Sequence, residues 1–384
     1  MLRAQISILT LTKKNIVSAG RFVSAILLIC CSICSHAQQN KSGGFEIKGH
    51  IDGTDNGTKI YLYDLDGETT LDSAITFQGD FIFRGRVERP AICWVRCQNE
   101  TATILVENTR MTFISPIHQM RLNATVKGGK EQDLQNELTS LQYPFDKIFL
   151  AAYDSLTNKL FSDNDDKKRL IKIFNDAQTG SHDIYVAFGK RHPNSFLGID
   201  IIYRNRQRIG KDTIKTLLLQ LSGKLRSTPK AQALMVFVNN ELAKKGKPFI
   251  DFDAKTLDGA SFKLSSLKGH YIVLDFWSAG CGPCRMQNRK VSKEYDRIKD
   301  KIAIVSFSMD KNKADWLKAS KADNILWTNV SDLKGGDGKI KTQYNVQAIP
   351  TSFLIDKEGI IVDILTGYDD EDFLNRLEKL VEEK

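Results

Sequence analysis

Short runs of alternating apolar and polar residues fill the region from Gly44 to about Gly128. The runs are FEIKGHI, KIYLYDL, DFIFRGRV, AICWVRC, TATILV and RMTFIS, and DGTDNGT, LDGE and QGD lie between them as turn-forming segments. Alternation with a period of two is typical of strands that bury one face. Several such strands in about 85 residues predict a small antiparallel β-sandwich or barrel, and we assign 38–129 to this β-rich N-terminal domain.

The period of the apolar positions changes at about Lys130. Segments such as LQNELTSLQYPFDKIFLAAYDSLTNKL and TIKTLLLQLSGKL repeat apolar residues every three or four positions, as amphipathic helices do. This pattern predicts four or five helices over 130–246. The segment carries no motif with recognisable chemistry, and we interpret it as a helical connector packed on its neighbours.

Strands and helices alternate over 247–384. The buried strand YIVLDFW leads to the helix CGPCRMQNRKVSKEYDRIKD, the strand IAIVSFSM, the helix KADWLKASKAD, the strands SFLID and IIVDIL, and a closing helix. Continuous apolar runs such as IVLDF suit central strands that are covered on both faces. The order of elements therefore predicts a multidomain chain whose C-terminal α/β domain has helices on both faces of its sheet.

The first 37 residues have the three parts of a secretory signal. A basic leader comes first, an apolar run follows from Phe22 to Cys34, and the small-residue ending SHA closes at Ala37. The run is shorter than the roughly 20 apolar residues that span a bilayer. We expect a signal peptide at 1–37, cleavage after Ala37, export to the periplasm or cell envelope, and no stable membrane span afterwards. The alternatives are an uncleaved anchor and, less favoured, a lipid on Cys30, Cys31 or Cys34.

The net charge gives little support for an anionic partner. The formal charge of the chain is +9, but the leader holds four basic residues and no acid, so the remainder carries +5. Its lysines are interspersed with acids, as in KNKADWLKASKAD, which is typical of a solvated surface. We therefore expect no nucleic-acid partner.

Loss of the leader would remove three of the seven cysteines. Cys93 and Cys97 lie four apart on one predicted strand, or ~13 Å at ~3.3 Å per residue, which is too far for a disulfide. We expect both to be buried apolar side chains. Cys281 and Cys284 form the segment CGPC, which begins after the three residues SAG that follow YIVLDFW. The predicted export would place this pair in a compartment where disulfides persist unless they are reduced.

The two cysteines of CGPC have unequal positions if the helix begins at Cys281. That residue would cap the helix start, where free N–H groups and the positive end of the helix dipole stabilise a thiolate. Pro283 fits the first turn, and Cys284 lies on the same face one turn deeper. We therefore predict that Cys281 attacks a partner disulfide to form a mixed disulfide, and that Cys284 resolves it.

Other uses of the cysteine pair are less favoured. A zinc site needs four ligands, yet the sequence has neither a second CxxC nor a close pair of histidines. Haem attachment requires CxxCH, whereas Arg285 follows Cys284. A structural disulfide that closes so short a loop would add little stability. We predict a redox couple, with no metal and no cofactor beyond the redox-active disulfide of Cys281 and Cys284.

The segment DFWSAGCGPCR resembles the active-site segment of thioredoxins, and IPT at Pro350 resembles the cis-proline segment that faces that site. The region from Phe249 to Lys384 is similar to periplasmic thiol-disulfide oxidoreductases of the TlpA/ResA type. The β-rich segment resembles, less specifically, a domain of unknown role found ahead of thioredoxin domains in bacterial envelope proteins. The resemblance implies a thioredoxin fold for the redox domain at 247–384.

The resemblance also implies roles for single residues. Asp275 would be the buried acid that exchanges a proton with the resolving cysteine, and desolvation would raise its pKa. Pro350 would be cis and leave room for the backbone of Ile349 to pair with an extended partner peptide. Trp277 would flank the site, with ordinary core packing as its alternative. The residues expected to bind substrate are Trp277, Gly282, Pro283, Ile349 and Thr351.

These observations predict an exported thiol-disulfide oxidoreductase that reduces protein disulfides, in cytochrome c maturation or in envelope redox homeostasis. A membrane thiol donor would supply its electrons. Some ResA-like proteins have glutamate where this chain has Gln287. The resemblance therefore does not imply their specificity for particular apoproteins.

Two alternatives stay open for the function. The first is a thiol peroxidase of the redoxin type, for which Ser278 fits but Leu274 stands where those enzymes place proline. The second is an envelope binding module, in which 44–245 holds a partner and the redox domain is secondary.

Overall fold

The computed structural model describes residues 43–368 and 372–382. The predicted leader, its cleavage site and Cys30, Cys31 and Cys34 lie outside these residues. Contacts divide the described chain into two compact units, which separate between Asp133 and Leu134. In the part of the chain that is described, no helix has the length and apolar character needed to cross a membrane.

The first unit consists of two four-stranded sheets, ordered β4-β1-β7-β8 and β3-β2-β5-β6. Its pairs are antiparallel, as predicted, except for β1 with β7, which are parallel. The elements are β1 (Phe45–Asp52), β2 (Lys59–Asp64), β3 (Thr69–Ile75), β4 (Asp80–Gly85), β5 (Ala91–Cys97), β6 (Glu100–Val106), β7 (Arg110–Pro116), α1 (Met120–Asn123) and β8 (Thr125–Lys127).

One hydrophobic core joins the inner faces of these two sheets. Ile47 of β1 and Phe113 of β7 come from one sheet, and Ile60 of β2 comes from the other, each without exposed surface. The alternation along each strand places these side chains inside and their neighbours outside. Cys93 and Cys97 belong to the same core as free thiols, and burial raises the pKa of both. The prediction that they are buried apolar side chains is therefore confirmed.

The helical segment begins with two helices of 28 residues each. They pack side by side, with the ring centroids of Phe149 and Phe174 4.5 Å apart. Two single-turn helices, α5 and α7, add to the four or five that the periodicity predicted. The helices are α2 (Lys130–Thr157), α3 (Asn164–Arg191), α4 (Phe196–Arg204), α5 (Arg206–Ile209), α6 (Lys211–Leu219), α7 (Gly223–Arg226) and α8 (Pro229–Asn239).

The rest of the second unit is built on a seven-stranded sheet ordered β10-β9-β13-β12-β11-β14-β15. The central strand β11 runs parallel to β12 and antiparallel to β14. The elements are β9 (Asp253–Thr256), β10 (Ser261–Lys263), β11 (Tyr271–Trp277), α9 (Gly282–Ile298), β12 (Ile302–Ser308), α10 (Lys313–Ala322), β13 (Thr328–Ser331), α11 (Lys339–Gln343), β14 (Thr351–Ile355), β15 (Ile361–Thr366) and α12 (Asp372–Glu382).

Every residue of β11 is buried, because the sheet is covered on both faces. Leu274 and Phe276 pack into a cluster with Ile340 of α11, whereas Val273 packs with Val291 of α9 in a separate cluster. The α/β domain with helices on both sides of its sheet is therefore confirmed.

The helical segment contacts the α/β part inside the second unit. The backbone N–H of Ala243 donates to the carbonyl of Gln343 at 2.8 Å. The hydroxyl of Tyr203 donates to the carbonyl of Gly336, and Lys341 is buried beside it.

Candidate active site

The turn from β11 into α9 fixes both cysteines of CGPC. Cys281 is the N-cap of α9. The backbone nitrogen of Cys284 lies 3.1 Å from the Sγ of Cys281, to which its N–H donates. Pro283 occupies the first turn, where its missing N–H leaves no helical hydrogen bond unmade. The helix therefore begins where the sequence placed it, with the free N–H of Cys284 directed at the sulfur of Cys281.

Cys281 and Cys284 are joined by a disulfide, with their Cα atoms 5.3 Å apart. The two sulfurs differ in access: Cys281 is half-buried, whereas Cys284 has no exposed surface. Cys284 packs with Trp277, Trp316 and Ala319. A partner molecule can therefore approach Cys281 but not Cys284.

The loop before Cys281 is held by a carboxylate that the sequence analysis missed. Asp310, just after β12, accepts hydrogen bonds from the backbone N–H of Ala279 at 3.0 Å and from the hydroxyl of Ser308 at 2.7 Å. Burial raises the pKa of Asp310, and these donors oppose that shift. This residue is a support for the loop, because its acceptor sites are used within the protein.

The proline segment lies against the disulfide. The peptide bond between Ile349 and Pro350 is cis, as the resemblance implied. The carbonyl oxygen of Ile349 lies 3.7 Å from the Sγ of Cys281. Pro350 and Thr351 are buried, and the hydroxyl of Thr351 donates to the carbonyl of Ala348 at 2.7 Å. Ile349, which is half-buried, is therefore the member of this segment that a partner bound at Cys281 can contact.

Asp275 lies on the α9 side of β11 and has almost no exposed surface. Its Oδ1 accepts hydrogen bonds from Ser352 Oγ at 2.6 Å and from Gln287 Nε2 at 2.9 Å. Burial raises the pKa of Asp275 to about 7, although these two donors favour the carboxylate and pull the pKa down. A carboxyl with this pKa can take up or release a proton near neutral pH.

Gln287 connects the acid to the helix that carries the cysteines. It is buried on α9, three residues after Cys284, so the two side chains share one face of the helix. The amide of Gln287 donates a hydrogen bond to Asp275. The carboxylate is therefore held at a point of α9 one turn after Cys284. Ser352 completes the arrangement from β14, where it pairs with Asp275 across the strands.

The remaining predicted contact residues fall into two groups. Gly282 and Pro283 are exposed, as is Met286 one turn later, and they form a rim next to the disulfide. Trp277 has no exposed surface and packs beneath Cys284, which favours the core-packing alternative considered for it.

Two arginines that follow Cys284 along α9 pair with one acid. We call the group of Arg285, Arg289 and Asp323 the clasp. Asp323, at the end of α10, pairs with Arg285 and lies 2.9 Å from the guanidinium of Arg289. Arg285 also donates to the carbonyl of Ala279 at 3.3 Å. The clasp fixes the first turns of α9 against α10. Among the described residues, no cluster of His, Cys, Asp and Glu side chains could hold a metal ion.

Comparison with known proteins gives a family match to the β-rich region and another to the α/β region that carries the cysteines. The AhpC/TSA family matches residues 245–364, and a domain of unknown function (DUF4369) matches residues 45–135. The thioredoxin-like protein YneN of Bacillus subtilis (strain 168) is 31% identical over 126 residues, which cover 32% of this chain and 72% of the relative. The thiol-disulfide oxidoreductase ResA of Bacillus anthracis is 30% identical over 132 residues, which cover 34% of this chain and 75% of the relative. A solved thiol:disulfide interchange protein from Bacteroides sp. is 34% identical, with a TM-score of 0.33, over 36% of this chain and 91% of that one.

Proposed function

Because this chain belongs to the family of thioredoxin-like thiol-disulfide oxidoreductases, we propose that it is an exported reductase of protein disulfides. Its working groups are Cys281 and Cys284. The observation that carries the proposal is the difference in access between the two sulfurs, since Cys281 is half-buried and Cys284 has no exposed surface. Only the sulfur at the helix start can meet a partner, so a mixed disulfide forms there.

The reaction starts from the reduced pair. The thiolate of Cys281 attacks one sulfur of a partner disulfide, so a bond forms between them and the partner's other sulfur leaves as a thiolate. The thiol of Cys284 then gives its proton to Asp275 and attacks the Sγ of Cys281. The Cys281–Cys284 disulfide forms and the partner's second sulfur also leaves as a thiolate. The two partner thiolates take up one proton from Asp275 and one from water, and two electrons have passed from the protein to the partner.

The chain's other residues prepare these steps. The N–H groups at the start of α9 stabilise the thiolate of Cys281. Gln287 and Ser352 hold the pKa of Asp275 below the value that burial alone would give. Ile349, Gly282 and Pro283 offer the surface on which a partner peptide is held.

The cell envelope is the proposed location, supported by the secretory pattern of residues 1–37. Disulfides persist there, so a membrane protein with two thiols must reduce the Cys281–Cys284 disulfide after each turnover. The proposed substrates are oxidised envelope proteins, including apocytochromes c that await haem.

The direction of electron transfer between this protein and its partner is tested by the reduction potential of the Cys281–Cys284 pair. The sequence CGPC is that of thioredoxin, so we expect a value nearer to about −270 mV than to the about −120 mV of a strong oxidant. Equilibration with glutathione or dithiothreitol, followed by mass spectrometry of the alkylated protein, gives the potential. A value near that of the strong oxidant would make the protein an oxidase.

Activity is tested by the reduction of insulin disulfides with dithiothreitol as the electron source. The wild-type protein should accelerate the reaction, and Cys281→Ser should abolish the acceleration. Peroxide consumption is measured on the same samples. Cys281-dependent removal of hydrogen peroxide without insulin reduction would favour the peroxidase alternative instead.

A further inference from the structure

An open groove of about 550 Å³ crosses the outer face of sheet β3-β2-β5-β6 in the first unit. Lys59, Tyr61 and Tyr63 line it from β2, because the alternation that buries Ile60 and Leu62 turns these three side chains outward. Thr70 of β3 and Arg96 of β5 line its two sides. The volume is in the range of ligand-binding sites in proteins, ~300–1,000 Å³.

Cations and aromatic rings alternate in this groove. The guanidinium carbon of Arg96 lies 4.4 Å from the ring centroid of Tyr63 and 4.9 Å from that of Trp94. The Nζ of Lys59 lies 5.1 Å from the ring centroid of Tyr61. Stacking of this kind holds a guanidinium in place while its N–H donors stay free for an acceptor.

The positive charges of the groove are not neutralised by neighbours. No carboxylate in the described part of the chain pairs with Lys59 or Arg96. The residues opposite the groove's side chains on neighbouring strands carry no negative charge: Ser73 faces Tyr61 and Thr70 faces Tyr63 from β3, Thr101 faces Arg96 from β6, and on β5 Arg96 itself lies opposite Tyr61. The face therefore attracts a ligand with negative charge and offers it aromatic surface and hydroxyl groups.

We propose that this groove, which we call the tyrosine groove, docks an acidic extended segment of a protein partner. Carboxylates of the segment pair with Arg96 and Lys59, and its apolar side chains lie on Tyr61 and Tyr63. Tyrosine, tryptophan and arginine are enriched among the few residues that dominate the binding energy at protein interfaces, and here they are concentrated on two adjacent strands. The groove is in the unit that carries neither cysteine of the disulfide, so its binding can be measured apart from disulfide exchange.

The test measures binding of a fluorescein-labelled peptide of ten residues, alternating glutamate and tyrosine, to the whole mature chain by fluorescence anisotropy. Arg96→Gln should weaken binding about tenfold, the effect of one hydrogen bond between charged groups. Lys59→Gln, at an exposed position where folding is not at risk, should weaken it in the same direction. Salt should weaken binding further, since exposed charges are screened.

The matched control is Lys48→Gln, which removes the same charge from an exposed position of β1 in the other sheet. It should change binding less than twofold. Equal loss in the Lys48 and Arg96 variants, or equal binding of a peptide that alternates lysine and tyrosine, would overturn the proposal. Polygalacturonate that displaces the peptide and binds more tightly would also overturn it, in favour of an acidic glycan.

Discussion

At the scale of residues, burial and hydrogen bonding oppose each other at Asp275, the acid of the candidate site. Burial raises its pKa to about 7, and the donors Ser352 and Gln287 lower it from what burial alone would give. A proton acceptor for a thiol works best when its pKa lies near the working pH. The two donors therefore set the pH range in which Cys284 can lose its proton.

Replacing Gln287 by methionine should move the pH dependence of disulfide reduction upward. The variant keeps the side-chain volume but removes the amide that stabilises the carboxylate, so the pKa of Asp275 rises. A hydrogen bond to a charged group is worth ~1.5–3 kcal/mol, which corresponds to a shift of one or two pH units. Insulin reduction measured from pH 5 to pH 9 reports this shift.

Two serine variants make a matched comparison for the same pH measurement. Ser352→Ala removes the other donor to Asp275 and should shift the profile in the same direction. Ser292→Ala removes a hydroxyl of α9 whose hydrogen bond goes to the carbonyl of Asn324, away from the acid. An unchanged profile in Gln287→Met and Ser352→Ala would show that Asp275 does not limit the reaction.

Asp275 should also make the stability of the oxidised protein depend on pH. Its pKa is about 7 when folded against an ordinary 3.8, so between these values the folded carboxyl keeps a proton that the unfolded one loses. The free energy of unfolding then falls as pH rises through this window, by on the order of 4 kcal/mol in full.

Asp275→Asn removes this dependence, because the amide does not titrate. The variant should therefore gain stability relative to the wild type as pH rises from 4 to 7. Urea unfolding at both pH values measures the difference, and a constant gap between the two proteins would contradict the raised pKa.

Some residues of the candidate site could be found in the sequence and others could not. Cys281 and Cys284 lie at one helix start, where spacing along the chain fixes their relative positions, and Asp275 was assigned from the resemblance to thioredoxins. Asp310 and Ser352 reach the same place only through the register of β11 with β12 and β14. Register depends on pairing between distant segments, which one sequence does not reveal.

At the scale of elements, the strands that the alternation did not predict are short or exposed. β3 (Thr69–Ile75) has no buried residue and lies at the edge of its sheet, so its sequence lacks the apolar alternation of a half-buried strand. β13 (Thr328–Ser331) has four residues, and α11 (Lys339–Gln343) has five, too few to show a period. The longer elements on both sides of the central sheet were predicted because each buries a continuous or periodic apolar face.

The clasp between α9 and α10 should contribute strongly to stability. The side chain of Asp323 has no exposed surface, and Arg285 is mostly buried. Asp323→Ala leaves both Arg285 and Arg289 without their acid. Removal of one partner from a buried ion pair costs ~3–5 kcal/mol. Urea unfolding of the oxidised protein measures the loss.

The matched control is Asp296→Ala, at an exposed position of the same helix where the acid pairs with Lys299. Exposed pairs contribute ~0–1 kcal/mol, so this variant should unfold close to the wild type. Equal losses in both variants would mean that the clasp does not anchor α9.

At the scale of the whole molecule, the two compact units should unfold in separate transitions. Phe113→Ala creates a cavity in the first unit and Phe276→Ala in the second, so each should lower a different transition temperature in calorimetry. Ile214, in the core of the helical segment, belongs to the second unit.

Ile214→Ala should therefore lower the same transition as Phe276→Ala. A third transition that responds to Ile214→Ala alone would mean that the helical segment unfolds independently of the redox fold. Reduction of the Cys281–Cys284 disulfide should likewise shift only the transition of the second unit.

The most direct test of the central claim is covalent trapping with Cys284→Ser in an envelope extract of the producing cells. Without a resolving thiol, the mixed disulfide at Cys281 should accumulate as adducts that dithiothreitol releases, and mass spectrometry should place the linkage on Cys281. Cys281→Ser is the control and should trap nothing. Equal adducts in the control, adducts linked through Cys93 or Cys97, or none in Cys284→Ser would contradict the assignment of attack to Cys281 and resolution to Cys284.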